Sequence, residues 1–192
     1  MAIDATGTTL IDRIWPARAD GRVMRNIAIV LVGSALMTIS AKIQVPFWPV
    51  PITMQTYVAL MLGAVLGFRL GAASVAAYLA QGAIGLPVFA GGAGLAYLAG
   101  PTGGYLLGFL AAAAVTGVLA DRGFGRRFVS ALAMFLLGNI AIFALGLGWL
   151  ATLIGVEKAI AGGLVPFLPG EALKVALAMA SLPLAWKALS RR

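Results

Sequence analysis

Glu171 and Lys174 are the residues of this chain best placed for chemistry. They follow a Pro169-Gly170 break at the start of an apolar C-terminal segment, and a spacing of three puts both side chains on one face of a helix. An ionisable group at bilayer depth is costly, so it normally faces a protein interior and marks a ligand, ion or proton site. A carboxylate that accepts and an ammonium that donates would form the polar floor of a small-molecule site. Alternatively, the two charges simply neutralise one another.

Other chemistry has little to work with. Cys and His are both absent, which removes disulfides, thiolate nucleophiles, the common zinc ligands and the usual general base of hydrolases. No Gly-x-x-x-x-Gly-Lys-Ser/Thr occurs, so the chain cannot hydrolyse ATP in the P-loop manner, and its Gly-Gly-Ala-Gly run lacks the flanking strand and helix of a dinucleotide fingerprint. With Glu171 the only acid inside a span, an enzyme's acid-base pairing has almost no material. No enzyme activity, metal or resident cofactor is expected.

The elements that must position the pair are membrane helices. The chain has 192 residues, is 61% hydrophobic and only 10% charged, and has a mean hydropathy of +1.01. No water-soluble domain has this composition. That length allows about six spans of roughly 20 residues. The expected fold is an all-α integral membrane protein of six transmembrane helices, with residues 1–25 as a polar N-terminal segment and 26–190 as the membrane domain. The net charge of +8 lies between the apolar runs, where it reports topology rather than nucleic acid.

The runs cover about 26–43, 53–68, 70–86, 104–120, 128–154 and 165–189. The first is too long for a signal-peptide core and is expected to stay. The first, third, fifth and last connections hold Arg13, Arg18, Arg22, Arg25, Arg69, Arg122, Arg126, Arg127, Lys187, Arg191 and Arg192, opposed clearly only by Lys158; Asp4, Asp12 and Asp20 also lie in the N-terminal segment. The positive-inside rule then makes both termini cytoplasmic, in a multi-pass protein of the cell (inner) membrane. Two uncharged connections, 44–51 and 87–103, share the outer face with the start of the sixth helix. A site open to the outside is the natural inference.

The first of these is a proline-rich structured loop, since its prolines cannot continue a helix. Pro46, Phe47 and Trp48 are expected to gate the site, although aromatics there also anchor loops at the interface. Thr53 and Gln55 follow and either bond the ligand or merely start the second helix. The second connection is glycine- and aromatic-rich. Irregular backbone at membrane depth survives only where protein or a cavity satisfies it, so Gly91 and its neighbours can offer bare peptide groups while Phe89, Tyr97 and Tyr105 wall a ligand; a packing loop without ligand is the rival. Asn139, inside the fifth run, is either ligand contact or interhelical glue, as is Gln81. Lys42 is expected to snorkel to water. Glycines four apart, Gly63/Gly67/Gly71 and Gly100/Gly104/Gly108, let helices approach closely. Ser34, Ala35 and Thr38 form a small-residue strip that suits docking of another membrane protein.

Four strings, Pro51-Ile-Thr-Met-Gln-Thr56, Gly85-Leu-Pro-Val-Phe-Ala-Gly91, Gly100-Pro-Thr-Gly-Gly-Tyr105 with Gly108-Phe109, and Phe167-Leu-Pro-Gly-Glu-Ala-Leu-Lys174, resemble the BioY family, the biotin-binding S components of energy-coupling factor (ECF) transporters. The similarity runs from the first helix onward, with the motifs in order. It implies high-affinity capture of biotin from the outer side, and uptake powered by a transmembrane T component and a pair of ATP-binding-cassette ATPases. It also implies ligand contacts for Glu171 and Lys174, although many family members carry Asp at the first of these positions. Biotin's ureido ring offers two N–H donors and a carbonyl acceptor, complementary to that pair; pairing of Lys174 with biotin's carboxylate is the other option. A transporter or facilitator that works without an ATPase stays open, as does a homo-oligomer.

Overall fold

The computed structural model describes residues 10–15 and 21–190. Asp4, Arg18, Asp20, Arg191 and Arg192 lie outside the described residues, as do the side chains of Asp12, Arg13 and Lys187. The chain forms α1 (Leu10–Ile14), α2 (Arg22–Lys42), β1 (Gln44–Val45), β2 (Ile52–Thr53), α3 (Gln55–Ala83), α4 (Gly94–Leu98), α5 (Gly103–Asp121), α6 (Phe128–Ile154), α7 (Val156–Gly163) and α8 (Leu168–Ser190), with 3-10 turns at Phe124–Arg126 and Val165–Phe167. Among the described residues five helical stretches are long and apolar enough to cross a membrane: α2, α3, α5, α6 and the α7–α8 stretch.

α3 accounts for the difference from six runs. Gly67 leaves the helical region at φ 76°, ψ −179°, a conformation essentially reserved for glycine. The chain folds back there, because Gln55 and Tyr78, 23 positions apart, share a 2.7 Å hydrogen bond, whereas an unbroken helix would hold them about 35 Å apart. The arms, residues 55–66 and 68–83, touch at Gly63 and Gly71, where a side chain on either would strike backbone. Thus the glycine spacing builds a hairpin inside one assigned helix, and the break falls at Gly67 rather than at Arg69. Asp121 Oδ2 accepts from the Phe68 N–H (3.1 Å) and secures the turn.

α5 packs most extensively against α3 on one side and α6 on the other. Gly63 faces Thr116 and Gly117 faces the Gly67–Phe68 turn, while Gly104 and Gly108 receive the α6 backbone at Leu145 and Ile142. Small residues at these crossings let helices approach without a hydrophobic drive from lipid. α8 is tied to the first arm of α3 by Tyr57 and Ser181, whose hydroxyls are 3.0 Å apart. α2 begins at Arg22, and the buried Arg25 guanidinium donates to the Ile11 carbonyl (3.2 Å), tucking α1 against α3 and α8.

The proline loop closes on a two-residue antiparallel ladder, Gln44↔Thr53 and Val45↔Ile52, which an all-helical expectation did not contain. Its Trp48–Pro49 bond is cis. Pro49 approaches Gly162 of α7, Phe47 meets Phe167, and the Trp149 indole donates to the Gly100 carbonyl (2.9 Å), so the irregular connections meet at one end of the bundle.

Candidate ligand-binding site

α8 begins with Leu168, Pro169 and Gly170, so the Pro-Gly pair occupies its first turn, where a missing N–H costs nothing. The helix then buries one stripe: Glu171, Lys174, Val175, Ala178, Met179 and Leu182. The expected pair therefore faces inward, each side chain 7% exposed. Lys174 Nζ donates to Glu171 Oε1 at 2.6 Å, and the Thr56 hydroxyl donates to the same oxygen at 3.1 Å. Glu171 Oε2 is buried with no partner.

Asn139 on α6 is in the same position. Both its amide oxygen and its amide nitrogen are buried and unpartnered, so no neighbouring helix uses it as glue. Glu171 and Asn139 line one cleft of about 950 Å³ between α6 and α8, otherwise walled by apolar side chains such as Leu136, Val175 and Met179. An unmade buried hydrogen bond costs roughly 1–3 kcal/mol. Two side chains that line this cleft thus carry an acceptor, a donor and a second acceptor that are all unsatisfied.

One wall residue of this cleft, Phe143, belongs to an aromatic cluster. Phe143 lies one turn beyond Asn139 on α6 and lines the cleft, while Phe167 precedes Glu171 by four residues. Tyr105 stacks on Phe167 (centroids 6.2 Å, interplanar 14°) and meets Phe143 edge-on (6.1 Å), with its hydroxyl fixed on the Gly163 carbonyl (2.8 Å). Phe47 of the proline loop sits edge-on to Phe167 at 6.4 Å, making a roof.

The remaining expected residues form a second group across α3. Thr53 Oγ1 donates to Gln55 Oε1 (3.3 Å) and Gln55 Nε2 to the Tyr78 hydroxyl (2.7 Å). Phe89 is fully buried, edge-on to Tyr78 (5.5 Å) and stacked on Tyr97 (5.1 Å). The Gly91 N–H donates to the Tyr97 hydroxyl (3.3 Å). Pro46, Phe47, Gly91 and Tyr97 line an open vestibule of about 440 Å³, and Pro51, Tyr97 and Thr102 separate it from a void of about 20 Å³ over Thr53 and Gln55. Trp48 is 77% exposed and lies outside the vestibule lining.

The structure thus brings Glu171, Lys174, Asn139 and Tyr105 to one side and Thr53, Gln55, Phe89, Gly91 and Tyr97 to the other. The first turn of α3 joins them, since Gln55 binds Tyr78 while Thr56 binds Glu171. Thr56, Phe167, Tyr78 and Phe143 were not singled out from sequence; the first two sit inside the quoted motifs, whereas the last two look like any aromatic in an apolar helix. On α2, Ala35 is exposed and Thr38 partly so, but Ser34 is fully buried and donates to Gln81 (2.8 Å). Of the expected docking strip, only Ala35 and Thr38 reach the surface.

A helical, multi-pass bundle with a cleft along α6 and α8 that holds Glu171 and Asn139, and no group of three His, Cys, Asp or Glu among the described residues that could hold a metal, defines a membrane protein that handles a small molecule. The chain belongs to the BioY family, whose model matches residues 11–191. A probable biotin transporter BioY of Pyrococcus horikoshii is 37% identical over 156 residues, covering 81% of this chain and 92% of that one. The biotin transporter BioY of Rhodobacter capsulatus is 41% identical over 170 residues, covering 79% and 87%. A crystal structure of the S component for biotin from an ECF-type ABC transporter matches with a TM-score of 0.77 at 29% identity, covering 89% of this chain and 95% of that chain.

Proposed function

We propose that this protein is a biotin-binding S component that captures biotin at the outer face of the membrane and delivers it inward with an ATP-driven module. One observation carries the ligand assignment: the buried, unpartnered Glu171 Oε2 and Asn139 amide share a cleft beneath an aromatic cluster. A ureido ring matches that set, with its N–H donating to Glu171 and its carbonyl accepting from Asn139 Nδ2. Lys174 holds the Glu171 carboxylate in place through its 2.6 Å bond, and with the ureido ring on Glu171 the carboxylate end of biotin points toward the outer mouth. Tyr105, Phe143 and Phe167 take the bicyclic rings, and Pro46 and Phe47 close over them.

Six helical runs, counting the arms of α3 separately, would put both termini on one side, which in this reading is the cytoplasmic side. That places Arg69, Arg122, Arg126 and Arg127 inside and the proline loop outside, in keeping with the positive-inside rule. The chain carries no P-loop, so ATP hydrolysis falls to partner ATPases, and a T component would dock on the exposed part of α2 around Ala35 and Thr38.

Equilibrium binding of labelled biotin to the detergent-purified protein tests the assignment. Desthiobiotin, which keeps the ureido ring, is expected to compete, and an N-carboxylated biotin, which loses one N–H, to compete poorly. Equal competition by both would remove the role given to Glu171.

A further inference from the structure

The outer end of α2 and the first residue of β1 make two bonds that the ligand cleft does not explain. Lys42, in the last turn of α2, donates from Nζ to the Phe89 carbonyl at 2.6 Å, and Gln44 Nε2 donates to the next carbonyl, that of Ala90, at 3.2 Å. The Lys42 side chain is exposed, in keeping with the expected snorkelling, and its ammonium also holds the loop.

The gripped segment is also held from the other side. Among the described residues 84–102, Phe89 is the only one that is buried, its ring fitted over Gly82 between Tyr78 and Tyr97. Tyr97 is, with Pro51 and Thr102, part of the wall shared by the vestibule and the void beneath it. Further along α2, Gly33 rests on Ser74 and Ser34 bonds Gln81, both on the arm of α3 from which this loop departs. Helix, arm and loop are therefore pinned together at four successive points.

We propose that Lys42 is a positioning residue for ligand capture: it clamps the 84–93 segment, and through Phe89 the Tyr97 wall, to α2, so that a displacement of α2 is passed to the vestibule beneath Pro46 and Phe47. Lys42 acts on the loop backbone and does not touch the ligand. The capture role rests on the proposed biotin site; the clamp itself does not.

The experiment uses the absence of cysteine in the chain. Nitroxide labels on Leu36→Cys and Leu95→Cys, both exposed positions, give a distance distribution for the full-length protein without ligand. It is expected to be narrow in the parent, to broaden in Lys42→Met and to narrow again in Lys42→Arg, which restores a cationic donor. Biotin dissociation is expected to be about tenfold faster in Lys42→Met, the scale of one charge-assisted hydrogen bond. Lys42→Arg should return it to the parent rate, with the same ratio for biotin methyl ester. An unchanged distribution in Lys42→Met overturns the clamp, and a dissociation effect confined to the free acid would make Lys42 a direct ligand contact and overturn the positioning role. Failure of the parent to bind biotin would instead strike the ligand assignment, while the label distances would still decide the clamp.

Discussion

Thr56 and Glu171 lie 115 positions apart and are joined by a 3.1 Å hydrogen bond that ties the first turn of α3 to the first turn of α8. With Lys174 on the same carboxylate oxygen, this bond leaves Glu171 Oε2 as the carboxylate oxygen without a partner. Thr56→Val removes the donor while keeping the shape. Biotin affinity is expected to fall about tenfold, the usual scale for a hydrogen bond to a charged group, and Thr56→Ser to restore it; titration calorimetry reads both.

Asn139 sets function against stability. Its amide is unpartnered in the free protein, so Asn139→Leu removes a desolvation cost of about 1–3 kcal/mol. Thermal unfolding in detergent should show this variant at least as stable as the parent, with biotin binding lost. A destabilised Asn139→Leu would mean that the amide holds helices together.

The Glu171–Lys174 pair makes the opposite case. Removing one partner leaves a buried charge uncompensated, at a cost of about 3–5 kcal/mol, whereas replacing both with neutral groups of similar volume is often tolerated. Glu171→Ala and Lys174→Ala are each expected to lower the unfolding temperature. The double variant Glu171→Gln/Lys174→Met should unfold near the parent.

Gly67 carries the α3 hairpin. Any side chain there meets a backbone conformation that costs about 1–3 kcal/mol for residues other than glycine. Gly67→Ala is expected to reduce the folded fraction, seen by size-exclusion chromatography, with no selective loss of biotin affinity in the molecules that fold.

Much of this was legible in the sequence because lipid imposes blunt rules. The α6 run at 128–154 matches its helix end for end, since no charged residue lies between Arg127 and Gly155. Glu171 and Lys174 stood out because a charge in an apolar run has few explanations. The hairpin at Gly67 was misplaced to Arg69 because a charge marks where a run meets water, while the turn itself depends on backbone conformation. The amphipathic α7 and the Gln44–Thr53 ladder were missed because elements so short carry almost no periodicity. Ser34 was expected at a surface because small residues look alike on both faces of a helix; only its bond to Gln81 shows it facing inward. Thr56 gave no signal of its own, since its partner is distant in sequence.

The most direct test of the polar floor is equilibrium binding of labelled biotin to the purified parent and to Glu171→Gln/Lys174→Met, with folding of both verified by thermal unfolding. The expected result is saturable binding by the parent, and in a folded double variant a loss of at least about tenfold, as for one buried hydrogen bond to a charged group. Undiminished binding by the folded double variant would contradict the central claim that this pair recognises the ligand.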